Sequence, residues 1–169
     1  MQDIRIEKLT INIGVGQAGE KLDKAMLLIS KLTNKKPIQN VSKKRIPTWG
    51  VRPGLAIGTK ITLRKREAKE MLIRLLKAVE NKLSSSSFDN EGNVSFGIKE
   101  YIDIPGIEYI IEVGIIGLET SVTLERPGFR IKKRKYMKKK LPIKKRILKE
   151  EAIEYMKKNF KIELTEEKK

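Results

Sequence analysis

From Leu9 to Val15 every second residue is a branched aliphatic: Leu9, Ile11, Ile13 and Val15, with Thr10, Asn12 and Gly14 between them. Strand side chains alternate between two faces, so this run buries one face and leaves the other open. The pattern returns at Ile61 and Leu63, at Val94, Phe96 and Ile98, and at Val122 and Leu124. Strands buried on one side only favour antiparallel pairing. The first run carries a flaw: Ile4 and Ile6 alternate, and the parity slips at Glu7-Lys8, which marks a bulge or a strand start.

Two stretches follow the helical period instead. Over residues 18–32, Leu22, Ala25, Met26, Ile29 and Leu32 form one stripe, and Pro37 bars its continuation. Over 67–83 the stripe is Ala68, Met71, Leu72, Leu75, Leu76 and Val79. A short strand is expected over 37–41, a strand over 59–65, a turn-rich loop over 84–92 and a turn at Pro105-Gly106. Residues 107–117, broken by Gly114 and Gly117, read as irregular, and 118–125 as the last good strand. Residues 129–146 read as a basic arm, extended in part. A short helix over 150–160 carries Ile153, Met156 and Phe160 as its seam, with Glu150, Glu151 and Glu154 toward the N-terminal end that favours acids. Ile162 and Leu164 suggest a brief final strand, and residues 166–169 a solvated tail. The expected fold is α+β: an open-faced sandwich, with an antiparallel sheet, two main helices on one face, a basic C-terminal arm and a short helix. The division expected is an RNA-binding domain over 1–125, with the arm and C-terminal helix over 126–169 packed on it or extending from it. Aromatics make up only 5% of the chain, so the core is expected to be aliphatic.

The net charge is +17, and its distribution is more telling than its size. From Lys24 to Arg66 there are 12 basic residues and no acidic one; from Arg126 to Lys149 there are 13 and again none. A chain that needs only solubility intersperses its signs. Two pure blocks repel themselves unless a polyanion answers them. With no cysteine and no histidine, disulfides, thiolate chemistry and His-based triads are excluded, and a zinc site would need carboxylates alone. No catalytic residue, metal or cofactor is expected. No apolar window is long enough for a membrane span, and Met1-Gln2-Asp3 does not open like a secretory leader.

Gly14-Val15-Gly16-Gln17-Ala18-Gly19 fits G-x-G-x-x-G between a strand and a helix. A dinucleotide site also needs an acid about 20 residues on, and none lies between Asp23 and Glu67. A tight turn explains the glycines, although a phosphate of RNA could still approach those amides. Glu108, Glu112, Glu119 and Glu125 have no identifiable metal or base partner in the sequence, so they read as surface carboxylates.

The open face decides the kind of nucleic acid. Thr10, Asn12, Lys60, Thr62 and Arg64 are its residues, with no ring among them. A sheet that stacks single-stranded bases places aromatics there. Short hydroxyls, an amide and cations instead suit the backbone and 2′-hydroxyls of folded RNA. Residues 42–58 form a long loop with Lys43, Lys44, Arg45 and Arg52. Its Trp49 is either a core anchor or an exposed stacking ring, and Gly50, Gly54 and Gly58 allow tight turns or hinges. Arg130, Lys132, Lys133, Arg134 and Lys135 supply further contacts to RNA backbone.

The strings "INIGVGQAG", "LTNKKP", the "KK" and "RPG" loop, "IGTKITLR" and "SFGIKEYIDIPGI" occur in one order and spacing. Together they resemble the large-subunit ribosomal protein L-five family, over roughly residues 3–165. Arg126-Pro127-Gly128 and the basic arm resemble its archaeal and eukaryotic branch. The resemblance implies a cytoplasmic protein of the large ribosomal subunit that binds 5S rRNA in the central protuberance, beside large-subunit rRNA and neighbouring ribosomal proteins. It maps the family's contacting asparagine and threonine onto Asn12 and Thr62. Lys35 stands where the family often has a contacting glutamine. It further implies that the loop with Lys43, Lys44, Arg45, Trp49 and Arg52 reaches P-site tRNA, and that residues 104–117 bridge to the small-subunit head. The alternatives are a free-standing basic RNA chaperone or regulator and, more distantly, a nucleotide-binding enzyme.

Overall fold

The computed structural model describes residues 3–165; the expected tail over 166–169 lies outside them. In chain order the strands and helices are β1 (Arg5–Gly14), α1 (Glu20–Thr33), β2 (Ile38–Val41), β3 (Ala56–Leu63), α2 (Lys65–Ala78), β4 (Lys82–Ser84), β5 (Asn93–Ile98), β6 (Leu118–Glu125), α3 (Arg130–Lys133), α4 (Lys149–Phe160) and β7 (Glu163–Thr165). Five strands form an antiparallel sheet in the order β2-β3-β1-β6-β5, and β4 and β7 pair in parallel as a second, small sheet.

The alternation read from the sequence is realised in burial. Leu9, Ile11 and Ile13 of β1 are buried, as are Ile61 and Leu63 of β3, Val94, Phe96 and Ile98 of β5, and Val122 and Leu124 of β6. Thr59 and Thr120 occupy the same buried parity. Contacts gather in two compact units. One comprises Thr10–Leu63 with Gly97–Thr120; the other comprises the chain up to Leu9, Arg64–Phe96, and the chain from Ser121 onward.

In the unit built on Thr10–Leu63, α1 buries Leu22, Ala25, Leu28, Ile29 and Leu32. It ends because Asn34 takes a left-handed conformation (φ 52°) as its C-cap, three residues before the proline that bars continuation. Within residues 97–120, Tyr101 is wholly buried, and its hydroxyl accepts a hydrogen bond from the backbone N–H of Ile110 at 2.9 Å. The core is thus aliphatic with a few rings, since Phe88, Phe96 and Phe160 are buried too.

In the other unit, α2 buries Ala68, Met71, Leu72, Leu75 and Leu76. It stops at Ala78, short of the expected residue 83. Glu80 and Asn81 both take left-handed φ values, near 54° and 57°, which no helix interior accommodates. Lys82 and Leu83, expected in the helix, form β4 instead. There Leu83 is buried opposite Leu164 of β7. Tertiary pairing overrides the helical period at this end. β1 runs through the parity slip as one strand. Glu7 shares the parity of buried Leu9 and its side chain is only 11% exposed. Its carboxylate is answered there by Lys133, which also meets Glu125 of β6. The arm is less extended than expected: it contains α3 and a single 3-10 turn over Ile143–Lys145. Ile147 at its end is buried, and a Cβ on Gly92 would meet its side chain at 2.6 Å.

Candidate nucleic-acid interface

On β1, Thr10 and Asn12 sit half-buried between fully buried neighbours. Lys60 and Thr62 alternate with buried Thr59, Ile61 and Leu63 and are exposed. Lys35 is exposed just beyond α1. Asn12 is the best-defined group of the set. Its Oδ1 accepts a hydrogen bond from Nδ2 of Asn40 at 2.9 Å, and its own Nδ2 donates to Oε2 of Glu119 at 3.1 Å. Asn40 pairs in register with Gly58 of β3, and β3 lies between β2 and β1. Asn40 therefore reaches Asn12 across a residue with no side chain to obstruct it. Gly58 is no hinge: a Cβ there would stand 2.7 Å from the Ile13 carbonyl oxygen. Asn40 and Glu119 were not among the residues expected to form the interface. Their parity in β2 and β6 was available in the sequence, but the network that joins them to Asn12 depends on strand order, which was not.

The loop after β2 is a continuation of the hairpin. The N–H of Ser42 donates to the Leu55 carbonyl and that of Gly54 to the Ser42 carbonyl; Ile46 and Val51 exchange both backbone hydrogen bonds, at 2.9 and 3.1 Å. Pro47–Trp49 make a 3-10 turn at the tip, closed by Gly50 at φ 65°. The anchor is Val51, which is buried, while Trp49 is 75% exposed. Lys43, Lys44, Arg45 and Arg52 are all exposed. A hydrogen-bonded ladder thus carries one exposed indole at its tip and four exposed cations along it.

In the other unit the cations divide into two kinds. Lys133 Nζ lies 2.6 Å from Glu7 and 2.9 Å from Glu125, and Arg5 also holds Glu125, at 2.8 Å. Arg64 approaches Glu7 at 3.4 Å. Burial pushes the Glu125 carboxyl up, but hydrogen bonds and charge from Lys133 and Arg5 outweigh it and hold the group below the usual carboxylate range. Burial likewise depresses Lys133, yet its two carboxylate partners raise it above the ordinary lysine value. Arg126 pairs with Glu151 at 2.6 Å. The Leu148 backbone N–H and Arg126 together lower the Glu151 carboxyl against the opposing effect of burial. Lys132 pairs loosely with exposed Glu91, and Arg134 donates to the Met137 carbonyl. Lys135 lies 5.6 Å from the centre of the Tyr136 ring. Arg130 is exposed and, among the described residues, has no carboxylate within ion-pair distance.

Two amides of the glycine motif are already engaged. The N–H groups of Val15 and Gly16 both donate to the Ile57 carbonyl, at 3.0 and 2.8 Å. A phosphate approaching these two amides would have to displace a backbone bond to β3.

Exposed cations and short neutral hydrogen-bonding groups make up a surface whose chemistry suits a folded polyanion. Comparison with known proteins agrees. Residues 1–52 match the family model described as ribosomal protein L5, and residues 56–155 match the model of that ribosomal family's C-terminus. The chain is 47% identical to the large ribosomal subunit protein uL5 of Sulfurisphaera tokodaii, covering 98% of this chain and 94% of that protein. To the uL5 proteins of Methanosphaera stadtmanae and Nanoarchaeum equitans it is 49% and 48% identical, covering 96% and 97% of each chain in the pair. The chain belongs to the ribosomal protein L5 family, in its archaeal type; it is a structural, non-enzymatic protein of the large ribosomal subunit and of the cytoplasm.

Proposed function

We propose that the chain holds 5S rRNA in the central protuberance of the large subunit, through the open side of β1 and β3. The observation that supports this most is the Asn40–Asn12–Glu119 network. It fixes a neutral amide on a surface otherwise furnished with Thr10, Thr62, Lys60 and Lys35. Such groups meet 2′-hydroxyls and phosphates in the geometry of folded RNA and offer no stacking platform. Arg64 and the arm residues Arg130, Lys132, Arg134 and Lys135 add contacts to the backbone of rRNA. Lys133, expected to act with them, is engaged by two carboxylates, so its part is to fasten the arm.

The hairpin tip with Lys43, Lys44, Arg45, Trp49 and Arg52 serves P-site tRNA in this reading. An exposed indole among cations can stack on a base or sugar while the cations hold phosphate. Residues 104–117 carry the bridge to the small-subunit head: they form no strand, and they expose Ile111, Tyr109 and Ile115 beside Glu108 and Glu112. Crosslinking in cells, followed by sequencing of the bound RNA, tests the central claim. Enrichment of 5S rRNA is expected, and recovery of unselected RNA in its place would overturn it.

A further inference from the structure

We infer that Glu119 is a specificity-determining residue of the RNA-binding face: it turns phosphate away and accepts a hydrogen bond from a donor group of the RNA, the ribose 2′-hydroxyl being the class that fits. The inference rests on the 5S rRNA reading above and deepens it.

Glu119 is exposed on β6, between buried Leu118 and Thr120, so it projects to the open side. One of its oxygens accepts from Asn12 Nδ2. Among the described residues no lysine or arginine lies within ion-pair distance of it. Glu7 and Glu125 contrast with it, since each of those carboxylates is held by at least two cations. The Glu119 carboxylate is thus left without a cation partner beside the residue that carries the neutral contact. A phosphate brought within a few ångströms of it is repelled. An ionised carboxylate has no hydrogen to give, so a group that binds here must donate. Folded RNA offers 2′-hydroxyls and base amino groups across its shallow minor groove. Asn12 cannot rotate its amide to compensate, because Asn40 donates to its oxygen and Glu119 accepts from its nitrogen. The pair thus marks a spot where the minor groove fits and the backbone ridge does not. On a chain of net charge +17, an uncompensated carboxylate at that spot suppresses binding to RNA of the wrong shape.

The test uses Glu119→Gln, which keeps the shape and an acceptor oxygen but removes the charge. Binding of the full chain to transcribed 5S rRNA and to a random RNA duplex is measured over a range of salt. The variant is expected to bind the random duplex about tenfold more tightly, to lose a similar factor in preference for 5S rRNA, and to show a salt slope on the duplex steeper by about 0.9, one further phosphate being tolerated. A residue with a purely structural role would leave that slope alone. Thermal unfolding confirms that the variant folds, and Glu119→Asp, which restores the charge, should restore the wild-type slope. An unchanged slope and preference in Glu119→Gln overturn the inference while 5S rRNA binding stands. A wild-type chain with no preference for 5S rRNA overturns the functional reading, and this inference with it.

Discussion

The Nζ of Lys133 lies 2.6 Å from a carboxylate oxygen of Glu7, joining the basic arm to the first strand. The same nitrogen reaches Glu125 at 2.9 Å, so one ammonium bridges two mostly buried carboxylates, each of which also meets an arginine. Truncating it leaves both with less compensation. Lys133→Ala is expected to destabilise the chain by about 1–2 kcal/mol, read as a lower urea midpoint, and to leave the salt dependence of RNA binding nearly unchanged. Arg130→Ala should do the reverse: little change in stability and a salt slope shallower by about 0.9. A wild-type midpoint for Lys133→Ala would show that the cluster holds nothing together.

Glu125 of this cluster and Glu151, held by Arg126, set an acid limit on the free protein. Glu125 and Glu151 both lie below their ordinary range when folded. The stability they lend is complete above the unfolded carboxyl pKa, roughly 4.3, and is lost as pH falls through their lowered folded values. Lys133 is raised when folded, so its share persists until pH climbs past the ordinary lysine value of about 10.4. Unfolding temperature should therefore drop steadily on acidification below about pH 4, and less steeply in Glu125→Gln. An identical slope in that variant would assign the acid limit to other carboxylates.

The sheet was legible because its signal is local: Leu118–Glu125 falls where alternation placed it, and α1 begins and ends within two residues of expectation. What the sequence hid is non-local. Leu83 satisfies a helical stripe and a strand equally well, and only its partner Leu164 decides between them. Glu119 reads as an ordinary surface acid until strand order brings it to Asn12. The long loop looked structureless because its ladder runs between Ile46 and Val51, a pair too short to register as strands. Lys133 was indistinguishable from its basic neighbours, since nothing near it in the sequence announces Glu7.

Gly58 is where close backbone approach and the recognition network coincide. A methyl group there would press on the Ile13 carbonyl oxygen from 2.7 Å, a backbone atom that cannot swing aside. Gly58→Ala should cost about 1–3 kcal/mol and weaken selective RNA binding together with stability, because Asn40 reaches Asn12 over this position. Calorimetry and competition binding on the same preparation check it; full stability would mean that the strands part without penalty.

Trp49 stands clear of the core, so Trp49→Ala should alter folding stability by no more than about 0.5 kcal/mol. The triple change of Lys44, Arg45 and Arg52 to Ala should spare 5S rRNA binding as well. Both variants, assembled into ribosomes, are expected to weaken retention of P-site tRNA. Loss of 5S rRNA binding on either change would mean that the hairpin tip belongs to the rRNA interface.

The paired substitution Asn12→Ala with Thr62→Ala separates recognition from attraction. Neither side chain carries charge, so the counterion release that dominates total affinity should survive. Both offer short hydrogen-bonding groups whose value depends on where the RNA places its partners. Removing Asn12 also leaves Asn40 Nδ2 and the Glu119 carboxylate without their shared partner. Preference for 5S rRNA over random duplex should then fall by tenfold or more, on the order of 1–3 kcal/mol, with an unchanged salt slope and only a small loss on the duplex itself. Competition titrations at two salt concentrations give both quantities. Equal losses on the two RNAs would mean that these positions attract without discriminating, and that selectivity lies in the arm or the hairpin instead.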